Sequence, residues 1–260
     1  MLVKQAANVL DILEFFAARK KVATLAEVSE HFSWPRSSTF NLLSTLVSRG
    51  YLYEPLSRGG FYPTPLWRVQ AHEIAGGEPL PDELLHLMED IAARLGETVC
   101  LSGISGMDTV FLEVIESQAA IRFSTEVGGR FPIHVTSGGQ AIMSQMTKAQ
   151  CASILRKTVF KRYGEGTPMN IQAVETSIRQ SLDRGWFSSA SSYSLDLGGV
   201  SVPLVLNNRI FSVTVGGPLF RVEPKMAEIA KELHSLVATH LGTEQISEKV
   251  KGLATPPLLE

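Results

Sequence analysis

Residues 24–62 carry the side chains best suited to meeting a nucleic acid, in the run TLAEVSEHFSWPRSSTFNLLSTLVSRGYLYEPLSRGGFY. Arg36, Ser37 and Ser38 open a helical segment, where backbone amides and hydroxyls suit a phosphate. Asn41 can pair bidentately with an adenine edge, Phe40 can pack on a thymine methyl, and Ser44 shares their face. Arg58 stands in Ser57-Arg58-Gly59-Gly60, a loop tip able to reach a minor groove or a flanking phosphate. A second chemistry is offered by HVTSGGQA, where Ser137 and Gly138 begin a glycine-rich helix whose amides can bind an anion. His134 could be a metal ligand or a general base. No His or Cys lies at ligand spacing near it, so a hydrogen-bonded core or pocket-edge histidine is the simpler reading. GxSxG, P-loop, Rossmann, HxxxH and CxxC patterns are all missing from the chain, and no cofactor is expected.

The elements that must position the first set are written locally. Thr24 and Glu27 have capping-box spacing. A turn is predicted around Ser33 and Trp34, and Pro35 falls in the first turn of the next helix, where a missing N–H costs nothing. Leu42, Leu43, Leu46 and Val47 recur at helical spacing and face a core, and Gly50 provides a left-handed stop. Residues 51–53 and 61–62 then read as two strands of a hairpin. Two short helices, a tight turn and a hairpin make a winged helix-turn-helix. The bland alternative is that Phe40 completes the local core and Asn41 is merely solvated.

Charge follows the same division. Residues 1–68 hold eight basic and five acidic side chains, a balance of +3, while the remaining 16 basic and 21 acidic residues give −5. A mildly basic amino-terminal part on an acidic body fits a local nucleic-acid contact rather than a polycation. The length allows two domains, and 44% hydrophobic with 19% charged residues is ordinary for a globular chain. No apolar run approaches the roughly 18 residues of a membrane span. In the opening MLVKQAANVLDILEFF, Val9, Leu10, Leu13 and Phe16 recur at helical spacing between acids, which predicts a domain helix and not a signal peptide. Cys100 and Cys151 have no metal or redox spacing and are expected as reduced thiols in the cytoplasm.

Along the chain the expected parts are a winged helix at 1–65, a linker helix at 66–78, a second domain at 79–242 and a disordered tail at 243–260. Gly76-Gly77 with Pro79 and Pro81 marks the break. Pro81 opens a helix with Leu84, Leu87, Met88, Ile91 and Leu95 on one face, closed by Gly96. Strands are predicted at 97–105, 108–117, 120–127, 186–191, 199–206 and 210–215, with a turn at Asn207-Asn208. Helices are predicted after residue 139 and at 149–157, 172–184 and 222–241. The simplest architecture is an α+β domain with a mainly antiparallel sheet.

Taken in order, NVLDILEFF, WPRSSTFNLLSTLVSRGYL, LGETVCLSGISGMDTVFLEVIES, GGRFPIHVTSGGQA, Gly185-Trp186 and VTVGGP resemble the IclR family of bacterial transcriptional regulators. The likeness runs from about residue 6 to 241. It implies a GAF-like effector-binding domain behind the winged helix, a homodimer or dimer of dimers, and a palindromic operator in double-stranded DNA. In family members that bind small organic acids, the ligand carboxylate meets the helix start that corresponds here to Ser137 and Gly138. The sheet positions that complete that pocket hold Ser189, Gly199, Thr214 and Gly216 here, in place of an acid, a cysteine and two serines; Ser192 replaces a usual glutamate. Lost carboxylates and added glycines predict a larger, less polar site, suited to an aromatic or longer-chain carboxylate, unless Phe123, Phe131 or Trp186 fills the space. The function implied is a ligand-responsive regulator, more often a repressor, with no enzymatic activity. A metabolite-binding protein or enzyme whose winged helix contacts protein is the alternative; Phe40 favours it, whereas Arg36, Ser37 and Asn41 suit DNA.

Overall fold

The computed structural model describes residues 2–55, 60–77 and 80–242 of the chain, which divides into the units Met1–Pro79 and Leu80–Glu260. Residues 243–260, expected to be a disordered tail, and the wing-tip residue Arg58 lie outside the described residues.

The first unit runs α1 (Lys4–Arg19), β1 (Ala23–Thr24), α2 (Leu25–Phe32), α3 (Arg36–Ser48), β2 (Leu52–Tyr53), β3 (Gly60–Pro63) and α4 (Leu66–Gly77). β3 pairs antiparallel with both β1 and β2. The capping box forms as its spacing demands: Thr24 Oγ1 accepts from Glu27 N–H at 3.3 Å, and Glu27 Oε2 accepts from Thr24 N–H at 2.8 Å. Gly50, at φ +77°, ends α3 in a left-handed cap in which Gly50 N–H donates to Val47 O and Tyr51 N–H to Leu46 O. The α2–α3 turn is pinned by Ser29 Oγ, which donates to Trp34 O at 2.7 Å. Ile12, Phe15 and Phe16 of α1 close the core over Val28, Leu43, Leu46, Leu52 and Phe61. Leu10 does not join them. It points away from Ile12 and Phe16 across the helix and stays 57% exposed. α4 ends at Gly77, within the linker helix expected over 66–78, and buries none of its residues.

The second unit runs α5 (Asp82–Leu95), β4 (Thr98–Ser105), β5 (Asp108–Ile115), β6 (Arg130–Pro132), α6 (Ser137–Gln145), α7 (Lys148–Lys157), α8 (Ile171–Arg184), β7 (Phe187–Ala190), β8 (Leu197–Leu206), β9 (Arg209–Pro218), α9 (Leu219–Val222), a 3-10 turn (Glu223–Lys225) and α10 (Met226–Leu241). Its six strands form one antiparallel sheet in the order β6-β5-β4-β9-β8-β7. Asn207 and Asn208 both adopt positive φ in the β8–β9 turn, as a two-residue hairpin of that hand requires. Strand alternation gives this sheet two unlike faces. Val99, Leu101, Val200, Val202, Leu204, Val213 and Val215 pack on α5 and α10 as the main core. Thr98, Cys100, Ser102, Gly199, Ser201, Ser212, Thr214 and Gly216 alternate with them, and α6 packs on the sheet there. α6 is covered in turn by α7 and α8 through Ile142, Met143, Leu155 and Val174.

Several elements differ from the sequence reading, which placed no strand at β1 or β6. Residues 120–127 form no strand. Glu116 holds the loop instead, accepting from Ser124 Oγ, Arg122 Nε and Thr125 N–H, so side-chain bonds replace a ladder. The long helix expected over 222–241 starts only at Met226, as α10, after the short α9 and a 3-10 turn that contains Pro224, whose missing N–H cannot continue an α-helical bond pattern.

Candidate functional site

In the first unit, α3 exposes Arg36, Ser37, Ser38, Phe40 and Asn41, with Ser44 half-buried beside them. Thr39, Leu43 and Leu46 turn inward, so the polar residues share one outer face. Phe40 is 52% exposed, so it does not complete the core. Arg36 is the first residue of the helix, beside amides that no capping side chain occupies. The helix therefore presents a cation, hydroxyls, a carboxamide and an aromatic edge together, the groups that phosphates and base edges accept.

In the second unit the start of α6 stands against the polar face of the sheet. Thr136 caps it, its Oγ1 accepting from Gly139 N–H at 3.0 Å and its carbonyl from Gln140 N–H. The amides of Ser137 and Gly138 precede those bonds and meet no acceptor among the described residues. Glycine is needed here for space. A Cβ on Gly138 would stand 2.7 Å from Thr214 Oγ1 and 2.9 Å from Ser212 Oγ, and one on Gly139 only 2.0 Å from Ile133 O. Hydroxyls surround this start. Ser201 Oγ donates to Ser137 Oγ at 2.8 Å and bonds Thr214 Oγ1 at 2.7 Å, while Ser189 Oγ reaches Ser137 Oγ at 3.4 Å. Ser212 Oγ is fully buried with no partner among the described residues.

Ser137, Gly138, Ser189, Gly199, Thr214 and Gly216, gathered from four separate segments, thus line one cavity of about 50 Å³. The rest of its wall is largely aromatic: Phe111, Phe123, Phe131 and Tyr193. These rings pack on one another, Phe111 to Phe131 at 4.9 Å and Phe131 to Tyr193 edge-on at 4.8 Å. The room expected from the two glycines is therefore occupied. Phe123 lies over Gly216, its Cδ1 3.2 Å from where a Cβ would stand. Trp186 takes no part; it sits in the main core under the Arg184 guanidinium, 3.8 Å from the ring centre.

Several residues are placed otherwise than expected. His134 does not line the cavity; its ring meets Phe160 edge-on at 5.2 Å, and Nε2 has no partner among the described residues. Burial holds its pKa below the ordinary value, so it is a neutral core residue. Ser192 is tied to Gly166 O and Ala190 O instead of facing the cavity. Ser102, Ser201, Ser212 and Tyr193 went unnoticed in the sequence. The first three carried a signal in the period-two alternation of their strands. Cys100 is a free, buried thiol whose pKa burial pushes up to about 12, leaving it protonated and unreactive. Among the described residues no group of three His, Cys, Asp or Glu gathers at metal-binding distance.

Comparison with known proteins agrees with this two-part arrangement. Residues 5–55 match the IclR helix-turn-helix domain, and residues 77–240 match the bacterial transcriptional regulator IclR C-terminal domain. The acetate operon repressor of Salmonella typhimurium is 25% identical over 223 residues, 82% of this chain and 79% of its own length. The crystal structure of the Thermotoga maritima IclR superposes with a TM-score of 0.71 at 18% identity, over 92% of this chain and 99% of that one. An IclR homolog from Microbacterium hydrocarbonoxydans, complexed with 4-hydroxybenzoate, gives 0.65 at 22% identity, over 91% and 98%.

Proposed function

The chain belongs to the IclR family of bacterial transcriptional regulators, and we propose that it is a repressor whose hold on a palindromic operator is altered by a small monocarboxylate with an aromatic or longer apolar body. It is a regulator by family, and the enzyme alternative falls on that ground. The observation that carries the effector reading is the polar end of the inner cavity. The Ser137 and Gly138 amides and the hydroxyls of Ser189 and Thr214 converge there, and among the described residues no acidic or basic side chain lines the wall. One carboxylate can be met by helix amides and hydroxyls without a counter-charge. The aromatic remainder of the wall favours an apolar body. That the Microbacterium homolog is complexed with an aromatic monocarboxylate supports the class, and the acetate operon repressor supports repression.

On this reading α3 enters a major groove through Arg36, Ser37, Ser38, Phe40, Asn41 and Ser44, with Arg58 at the wing. A homodimer, or a dimer of dimers, sets two such helices about one DNA turn apart or a multiple of it, and the protein works in the cytoplasm. The effector acts by preferring one quaternary arrangement over another, which is sufficient for allostery. Fluorescence anisotropy of the full chain on DNA from upstream of its own gene, with unrelated DNA as competitor, tests both halves. Competitor-resistant binding released by 4-hydroxybenzoate or a related aromatic acid is the expected result. Binding no tighter than to unrelated DNA, or insensitivity to every monocarboxylate tried, would overturn it.

A further inference from the structure

Phe123, Tyr193 and Leu197 line the inner cavity and also an open groove of about 490 Å³ on the outside of the same unit. Ile121, Pro218 and Phe220 line the outer side only. The three shared residues are therefore the partition between the two spaces, and they are held unequally. The Tyr193 ring stacks on Tyr163 at 5.4 Å, and the neighbouring Ser192 carbonyl accepts from Thr167 Oγ1 at 2.6 Å. Leu197 belongs to β8 and pairs with Pro218. Phe123 is in the loop between β5 and β6 and in no strand. Its carbonyl is anchored by Thr98 Oγ1 at 2.5 Å, while its ring lies over the glycine at 216 and meets the edge of Phe111 at 6.3 Å, a longer ring contact than Tyr193 makes with Phe131 or Tyr163. Of the three, Phe123 can swing aside with the least loss of contact.

Size makes that movement necessary. A cavity of about 50 Å³ holds only a few water-sized groups, since one water needs roughly 10–15 Å³ of such space. Ligand sites of drug-like size are on the order of 300 Å³ or more. With the Phe123 ring turned out, the cavity and the groove become one channel, polar at α6 and opening onto a groove in which Ile121, Pro218 and Phe220 form the apolar part of a wall that Arg122, Ser124, Ser194 and Asp196 complete. Ile121 and Phe220 there are 66% and 70% exposed, large side chains that an apolar tail would cover.

We propose that Phe123 is a gate standing where the effector's apolar body goes, and that the groove lined by Ile121, Pro218 and Phe220 is a second subsite for an elongated tail. The effector is then a monocarboxylate whose aryl or acyl chain extends beyond the position of Phe123. The inference rests on the reading that the carboxylate sits at the start of α6.

Calorimetry and stopped-flow binding on the full chain, with benzoate, phenylacetate, 3-phenylpropionate and 4-phenylbutyrate as probes, test it. Kd is expected to fall about fourfold for each methylene that enters the groove. Phe220→Ser should flatten that gain while leaving benzoate within twofold, and Phe123→Ala should raise association rates at least tenfold. Phe123→Leu, which keeps an apolar side chain, should act in the same direction if the alanine variant folds poorly. A flat series, or rates and affinities within twofold in both the Phe220 and Phe123 variants, overturns the proposal. Gly138→Ala reports the carboxylate end separately. If it binds benzoate as the unaltered chain does, or if no acid binds the unaltered chain, the α6 reading fails and the gate falls with it.

Discussion

A methyl group added to Gly138 would stand 2.7 Å from Thr214 Oγ1, closer than carbon and oxygen can approach. The start of α6 is thus seated on the polar face of the sheet with no room for a side chain at position 138. Gly138→Ala must lift the helix start or push Thr214 away, and Thr214 is bonded to Ser201, which holds Ser137. We expect Gly138→Ala to lose the response to aromatic acids while keeping operator affinity within about threefold, given that α3 belongs to the other unit. Anisotropy titrations with and without acid read both quantities. A variant that still responds would place the effector elsewhere.

Asn41 projects from the exposed face of α3. Asn41→Ala should cost roughly 1–3 kcal/mol at the cognate operator and relax sequence preference at one position. Arg58→Ala should instead weaken binding evenly across sequences and reduce the salt slope by about 1. Equal binding by both variants and the unaltered chain would remove α3 and the wing from the groove.

The Thr24 amide, then the Arg19 guanidinium and the Thr24 hydroxyl, hold the Glu27 carboxyl below its ordinary value of 4.5. A carboxylate whose pKa is lowered by folding contributes stability above its unfolded value, and that contribution is lost as pH falls through the folded one. Thermal melts between pH 7 and pH 3 should show the first unit losing stability below about pH 4.5, with a shallower slope in Glu27→Gln. Thr24→Ala should cost about 1 kcal/mol at neutral pH by removing the cap.

Burial holds His134 and His234 below the ordinary imidazole value of 6.5, the second despite the bond between its Nε2 and Gly185 O. Both are neutral in the fold while the unfolded chain takes up protons first, so stability is full above about pH 6.5 and falls as pH drops below it. His134→Leu should reduce that slope in melts of the full chain from pH 7.5 to 5. An unchanged slope would mean that His134 titrates alike in both states.

What the sequence determined by itself is what is decided within a few residues. Thr24 and Glu27 cap α2, Gly50 and Gly185 end α3 and α8, and Asn207-Asn208 turns the β8–β9 hairpin, because each backbone constraint is satisfied by its neighbours. The outward face of α3 was equally legible, since helical period alone separates Asn41 from Leu43. The proposed effector site was legible in part. Ser137 and Gly138 read as a helix start suited to an anion, and the family likeness supplied Ser189, Gly199, Thr214 and Gly216, which line the same cavity.

Only tertiary structure decided how those residues are closed over. Ser137 bonds Ser201, 64 residues away, and Phe123 fills the space left by Gly216, on a strand more than ninety residues later. Residues 120–127 alternate well enough for a strand, yet Glu116 draws that segment into a loop and sets Phe123 over the cavity. His134 shows the same limit. A histidine next to a helix start reads as a site residue, and packing against Phe160 makes it core. Local bonds are written in adjacent residues, whereas which ring occupies a cavity depends on sheet register and on the competition of distant side chains for one volume.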